Sequence, residues 1–278
     1  MEKMQKFNKI GKILLVVCAA VSLLVIAGCG NKNANETTFK VGIYGSDDRI
    51  WKPLANKLKK QGINLKLVEF NDYNTPNKAL ESGELDINAF QNYHFMRDWN
   101  KANKGNVVAI GDTYIAPQRI YSNKIKRLSQ LKSGDKVSIP SDATNEDRGL
   151  RVLQQAGLIK LNNASLHTVK DVTENKKNLK LTPLDAAQTA HSLTDVSAAV
   201  VNNDVAQDAN LKPEPAIYKE QINKESKPYV NIIATTKSKK NNKTYKKVVK
   251  AYQTKFIAKK IKEVYNGSTY AAWNYNFN

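Results

Sequence analysis

Four short polar clusters carry the chemistry visible in this chain: Asn71-Asp72-Tyr73, Phe90-Gln91-Asn92, Ser141 to Arg148, and Asn202-Asn203. Each follows an apolar run that reads as a β-strand, and in open α/β sheets small ligands bind in the crevice at the carboxyl ends of the strands. Together these groups suit a zwitterion. Arg148 offers a planar guanidinium fork for a carboxylate, in the first turn of an expected helix whose amides also favour anions. Asparagine carbonyls accept from an ammonium without adding a charge. Tyr73 and Phe90 supply aromatic walls for an apolar or thioether side chain. An Asn after a strand is also a common turn former, so the weight lies on the joint placement.

Catalytic patterns are missing. The chain has no GxSxG elbow, no GxxxxGK[ST] phosphate loop and no GxGxxG after a strand. Glu84 and Asp86 sit two apart at a strand entrance, where surface or capping roles are ordinary. The two cysteines, Cys18 and Cys29, both fall near the amino terminus, so neither a disulfide nor a thiolate zinc site is expected. His94, His167 and His191 are scattered, and none belongs to an HExxH pattern. The expectation is a binding protein, not an enzyme, with no metal and no cofactor.

The elements that must position these residues alternate. Phe39–Tyr44 reads as a strand, Ile50–Lys60 as an amphipathic helix and Asn64–Phe70 as a second strand, the β-α-β order of a parallel sheet. Pro76–Ser82 is an expected short helix stopped by Gly83, and Leu85–Phe90 a strand leading into another helix. Val107–Ile110 and Ile115–Tyr121 are further strand candidates. After Gly134 the alternation restarts with a strand at Lys136–Ile139, a helix at Asn145–Ala156 and Gly157 as its cap. Leu184–Leu193 looks helical, Ala198–Val201 reads as a buried strand, Val230–Thr235 as the last strand, and Tyr245–Val264 as one long helix with Val248, Val249, Tyr252, Phe256 and Ile261 at helical spacing. The fold class expected is α/β with two lobes, each a mixed, mostly parallel sheet flanked by helices. Lobe 1 comprises 39–118 plus 231–278 and lobe 2 comprises 119–230, joined by two crossover segments.

The amino terminus has its own grammar. Lys3, Lys6, Lys9 and Lys12 precede an apolar run from Ile13 to Ala27, and Ile26-Ala27-Gly28 leads directly to Cys29. The run is short for a permanent span, which needs roughly 20 apolar residues, and matches a cleaved lipoprotein signal over 1–28. Cys29 is the expected lipidation site, multiple acyl chains being needed for stable anchoring, and 29–38 is an Asn-rich linker without apolar periodicity. The formal charge is +19, or +16 without the first 28 residues, which hold four lysines and one glutamate. Lys237, Lys239, Lys240, Lys243, Lys246, Lys247 and Lys250 form the densest run; without interleaved stacking aromatics it reads as a solvated face, and nucleic acid is not an expected partner.

Val68-Glu69-Phe70-Asn71-Asp72-Tyr73, Pro76-Asn77-Lys78-Ala79-Leu80 and Gly83-Glu84-Leu85-Asp86-Ile87-Asn88-Ala89-Phe90-Gln91 resemble the central segment of the methionine-binding lipoproteins of bacterial ABC importers. Ile139-Pro140 with Asn145 and Arg148, Gly157 to Leu161, Ala199 to Asn203 and Pro228 to Ile233 continue the resemblance in order. It implies a two-lobed binding-protein fold that closes on an amino acid and delivers it to a permease with a cytoplasmic ATPase, on the outer face of the cell membrane. It further implies ligand contacts from Tyr73 and Phe90 to the side chain, Arg148 to the carboxylate, and Asn145, Asn202 and Asn231 to the polar groups. Two departures bear on specificity. Asn92 stands where the family usually has His, and Gln118-Arg119 replace an apolar-Gly pair. Either Arg119 faces the cleft, where it would recognise a second carboxylate or a longer ligand, or Gln118 and Arg119 face solvent. The resemblance implies methionine or a closely related amino acid as ligand, and the departures leave a methionine-containing dipeptide or another amino acid as the alternative. A different class, a cationic surface protein binding a polyanion, is the alternative to transport.

Overall fold

The computed structural model describes residues Thr38 to Phe277; the leader, Cys29 and the linker up to Thr37 lie outside them. In chain order the elements are β1 (Thr38–Tyr44), α1 (Asp48–Lys59), β2 (Asn64–Phe70), α2 (Pro76–Glu81), β3 (Ile87–Ala89), α3 (Tyr93–Asn103), β4 (Val107–Asp112) and β5 (Tyr114–Ile115). There follow β6 (Arg119–Tyr121), β7 (Lys136–Pro140), α4 (Ala143–Gln155), β8 (Lys160–Leu161), β9 (Val172–Glu174), β10 (Lys180–Leu184), β11 (Ala198–Val201), α5 (Asn203–Asp208) and β12 (Tyr218–Lys219). The chain ends with β13 (Ile232–Thr236), α6 (Lys243–Tyr252), α7 (Lys255–Val264) and β14 (Tyr270–Ala271).

Two five-stranded sheets organise the molecule. The first has the order β2-β1-β3-β13-β4 and the second β10-β7-β11-β6-β12. β1 lies parallel to β2 and β3, with Val41 opposite Leu67 and Ile87, while the returning β13 runs antiparallel to β3 and β4. In the second sheet β7 is parallel to β10 and β11, and β6 is antiparallel to β11 and β12. Both sheets are therefore mixed.

Periodicity explains the layers. Ile50, Trp51, Leu54 and Leu58 form one stripe of α1, and they pack with Tyr245, Val248 and Tyr252 of α6 and Ile257 and Ile261 of α7 against Val41, Ile43 and Ile233 of the first sheet. α2 and α3 cover the opposite face through Leu80 and Met96 against Ile232 and Ala234. In the second lobe Leu150, Val152 and Leu153 of α4 pack on Val137, Ile139, Ala198 and Val200. α4 stops at Gly157, whose φ of +73° is the left-handed conformation that glycine adopts without strain. At Gly42, in the centre of β1, an added Cβ would sit 2.5 Å from Leu85 Cδ1 and 3.2 Å from the Phe70 ring. Gly42→Ala should therefore cost about 1–3 kcal/mol of overpacking, read from the urea midpoint.

Several expected elements take other forms. Thr38, assigned to the linker, is the first residue of β1. The single strand expected at Ile115–Tyr121 is two strands in different sheets, β5 and β6, separated by Ala116-Pro117-Gln118, because proline cannot donate to a ladder. Leu184–Leu193 is not one helix: Asp185 caps a short turn at Ala186–Gln188, and Thr189 and Ser192 hydroxyls bond to nearby carbonyls instead of leaving the ladder intact. The long carboxyl-terminal helix breaks at Gln253-Thr254, where Thr254 caps α7. Phe256, read as part of its apolar stripe, is 43% exposed.

Candidate ligand-binding site

The carboxyl ends of β1, β2 and β3 face those of β7 and β11 across a crevice. Tyr44, Tyr73, Phe90 and Phe95 from the first lobe pack there against Ala186, Val201, Val205 and Ala206 from the second. Rings lie 5.3–6.2 Å apart in tilted or edge-on arrangements, geometries that suit aromatic quadrupoles. Tyr73 Oη donates to Asp204 Oδ1 at 2.6 Å, a buried bond from one lobe to the other. The lobes are closed on each other.

A pocket lies in this crevice, and Tyr73, Phe90, Asn92, Asn145, Arg148, Asn202 and Asn231 all line it. These residues span 159 positions of sequence and five segments, so only the chain's return through both sheets brings them together. Local supports hold each one. Asn77, Asn88 and Gln91 bond to one another in a buried amide cluster, with Asn77 Nδ2 to Gln91 Oε1 at 2.8 Å and Asn88 Nδ2 to Asn77 Oδ1 at 2.9 Å, which fixes the turn beneath Phe90. Asn92 Oδ1 accepts from Phe95 N at 2.8 Å, so that this carbonyl caps α3 and only the amide nitrogen is left to face the pocket. The backbone of Asn231 bridges to Asn92, joining the carboxyl end of the first lobe's loop to the returning segment.

A relay of amides crosses the floor. Gln118 Nε2 donates to Asn202 Oδ1, Asn202 Nδ2 to Asn145 Oδ1, and Asn145 Nδ2 to the Asp142 carboxylate, each at 3.0 Å. Asn145 and Asn202 thus each use one lone pair of the side-chain carbonyl within this relay, which fixes the direction of the second. Two atoms of the same wall are buried and have no hydrogen-bond partner among the described residues: the acceptor Gln118 Oε1 and the donor Asn203 Nδ2. Unpaired groups of this kind carry a desolvation cost that a bound polar molecule would remove.

Arg148 is in the second turn of α4, not the first. Its Nε and Nη2 donate to Glu220 at 3.1 and 2.7 Å, Nη2 also donates to Ala116 O at 2.8 Å, and the guanidinium lies 4.5 Å from the Tyr229 ring centre. Only Nη1 is left for a ligand. Glu220, which the sequence reading missed, also accepts from Gln118 N at 2.7 Å, so one buried carboxylate ties Arg148 to both segments that cross between lobes. Nothing in the local sequence Tyr218-Lys219-Glu220-Gln221 marks this role, since the partner is 72 residues away.

Neither alternative for Gln118-Arg119 holds in full. Gln118 lines the pocket, whereas Arg119 is buried behind it, donating to Pro117 O at 3.1 Å and lying 3.5 Å from Asn203 Oδ1. Burial depresses its affinity for a proton below that of a free guanidinium. Asp204, the second residue of α5, is the acidic group of the pocket and was also missed. Burial raises its pKa to about 6, opposed by the Tyr73 hydrogen bond. Behind it Asp47 accepts from Tyr265 Oη at 2.5 Å and Tyr114 Oη at 3.2 Å, and burial, with a further contribution from Asp204, raises it to about 7. Among the described residues no group of His, Cys, Asp and Glu is arranged to hold a metal ion.

Two α/β lobes built on mixed sheets, joined by two crossing segments and closed over a polar pocket with an aromatic wall, define a bilobed solute-binding protein. The family model described as NlpA lipoprotein matches residues 39–273, and the chain belongs to that family. It is 40% identical to the probable D-methionine-binding lipoprotein MetQ of Vibrio cholerae, over 94% of this chain and 98% of the relative. It is 38% identical to the D-methionine-binding lipoprotein MetQ of Escherichia coli, with the same coverage. Among solved structures, the substrate-binding protein of a methionine transporter from Streptococcus pneumoniae is 43% identical with a TM-score of 0.81, over 85% of this chain and 96% of that one. A nutrient-binding protein from Burkholderia cenocepacia bound to methionine is 41% identical with a TM-score of 0.81, over 84% and 99%.

Proposed function

We propose that this chain is the lipid-anchored solute-binding protein of an ABC importer, that it captures methionine, and that Tyr73, Phe90, Asn92, Asn145, Arg148, Asn202 and Asn231 line the methionine site. The observation carrying this reading is the pairing, in one pocket, of a cationic end at Arg148, an acidic end at Asp204 and an aromatic wall of Tyr73, Phe90 and Phe95. A zwitterion with an unbranched thioether matches each part. The carboxylate lies toward Arg148 Nη1 and the Asn203 amide, the ammonium toward Asp204 and Gln118 Oε1, and the sulfur among the rings. Placing the ammonium beside Asp204 adds this residue and Gln118 to the site. The hinge consists of Ala116 to Gln118 and Glu220 to Asn231, and closure is favoured because only the closed form offers the contacts of both lobes at once. Lipid on Cys29 holds the protein at the outer face of the membrane, beside the permease whose cytoplasmic ATPase drives uptake.

Calorimetry on protein stripped of carried-over ligand, against L- and D-methionine, the other amino acids and methionine dipeptides, tests the reading. Stoichiometric methionine heat is expected. Heat with a dipeptide or another amino acid alone would keep the transport role and change its cargo, and no heat with any of them would overturn the small-molecule reading in favour of a surface-binding role.

A further inference from the structure

The charge of this molecule is concentrated on one side of one lobe. α1 with its flanking residues (48–60) and the stretch through α6 and α7 (237–263) contain 16 lysines and arginines against two acids, Asp48 and Glu263, whereas the rest of the described chain is nearly balanced, 23 against 21. α1, α6 and α7 form a single layer, because their apolar stripes pack together on the same face of the first sheet. The lysines therefore share the outward side of that layer. Lys57, Lys59, Lys243, Lys246, Lys247, Lys250, Lys255 and Lys262 are exposed, and among the described residues none of them has a carboxylate within 4 Å.

Phe256 lies within this field of cations. It is the one large hydrophobic side chain exposed among the described residues, and Lys57 Nζ sits 5.8 Å above its ring. A basic layer carrying an outward aromatic is the composition of surfaces that lie on anionic bilayers, where the ring enters the headgroup boundary and the lysines meet lipid phosphates. The layer is also where the described chain begins: Phe39 packs edge-on against Tyr245 of α6 at 5.6 Å. Cys29 is nine residues before Thr38, and nine residues reach at most about 30 Å. No residue of the layer lines the ligand pocket.

We propose that the α1/α6/α7 face docks on the anionic phospholipid surface of the membrane, with Phe256 inserted at the headgroup level, leaving the ligand cleft free. The proposal draws on lipid anchoring at Cys29 only for the proximity of the bilayer, so its test omits the lipid. The chain from Cys29 onward, carrying Cys29→Ser, is sedimented with vesicles of phosphatidylcholine alone and of phosphatidylcholine with phosphatidylglycerol, at low and physiological salt. Binding confined to the anionic vesicles and weakened by salt is expected. Replacing Lys246, Lys247, Lys250, Lys255 and Lys259 by Gln should lower the partition coefficient at least about 100-fold, each lysine near such a surface accounting for several-fold. Phe256→Ser should lower it several-fold with no change of charge.

A control variant replaces Lys124, Lys126, Lys132, Lys176 and Lys177 of the second lobe by Gln, an equal change of net charge. An equal loss there would overturn the assignment to this face, as would equal binding to neutral vesicles. Efficient competition by soluble polyphosphate with no effect of Phe256→Ser would make the face a general polyanion surface and overturn the lipid reading. Methionine heat is measured on every variant, so failure of the transport reading and failure of membrane docking are separate results.

Discussion

Arg148→Ala is expected to weaken methionine binding at least about 30-fold, roughly 2 kcal/mol, the scale for truncating one partner of a buried hydrogen-bonded charge pair. The structure makes the effect double. Arg148 is 5% exposed and holds Glu220 through two hydrogen bonds, so its removal also leaves a buried carboxylate unpaired and should cost about 3–5 kcal/mol of stability. The two losses are separable. Arg148→Met combined with Glu220→Leu removes both charges, and an apolar pair of similar volume is often no less stable than the ion pair it replaces. Urea unfolding of the double variant should recover part of that loss, stopping short of the parent because Ala116 O and Gln118 N lose their partners, while calorimetry still finds methionine binding lost. Normal affinity in the double variant would remove Arg148 from the ligand site and leave it a hinge clamp only.

Asp204→Asn should act in opposite directions on binding and on stability. The carboxylate titrates near 3.8 in the unfolded chain and at about 6 in the folded one. Below about pH 4 both states hold the proton and the group contributes nothing. Between about pH 4 and 6 only the folded state keeps it, so stability falls as pH rises, and above pH 6 the whole loss persists. The Asn variant, whose Oδ1 can still accept from Tyr73, should therefore be more stable than the parent at pH 8, by on the order of 3 kcal/mol, and equal to it near pH 3.5. For the ligand the sign reverses. An ammonium beside Asp204 favours the carboxylate, so the parent should release protons on binding at pH 5.5 and gain affinity as pH rises through about 6, whereas Asp204→Asn should bind at least about 30-fold more weakly at pH 8, without that pH dependence. Calorimetry in buffers of different ionisation heat measures the proton release. A parent that binds without releasing protons at pH 5.5 would place the ammonium elsewhere.

How much was legible in the sequence follows from the range over which each interaction acts. β1 with α1 and β2, the β7-α4 unit and the Gly157 stop rest on periodicity and backbone preference within a few residues, and they were readable directly. Their strand ends pointed to Asn71 to Tyr73, Phe90 to Asn92 and Asn202-Asn203, because the rule that ligands meet strand ends needs only the strands. The two-part strand at 115–121 was misread because both parts have the same local composition, and only their pairing partners, β14 and β11, assign them to different sheets. Asp204 and Glu220 were invisible for the same reason. Asp204 meets Tyr73 across 131 residues and Glu220 meets Arg148 across 72. An isolated acid in a helix or at a strand end has no pattern to show.

The sequence by itself determined the two α/β units, the lipoprotein leader grammar and the identity of the polar residues at the strand ends, since all of these are local in the chain. The tertiary structure alone decided which polar atoms are free. It engages the Asn145, Asn202 and Asn92 carbonyls internally, engages two arms of Arg148 on Glu220, and leaves Gln118 Oε1 and the Asn203 amide without partners. It also gathered lysines from both ends of the chain onto one helical layer. Hydrogen-bond satisfaction and surface charge are sums over neighbours in space, and neighbours in space are set only when the two sheets and their return strands have formed.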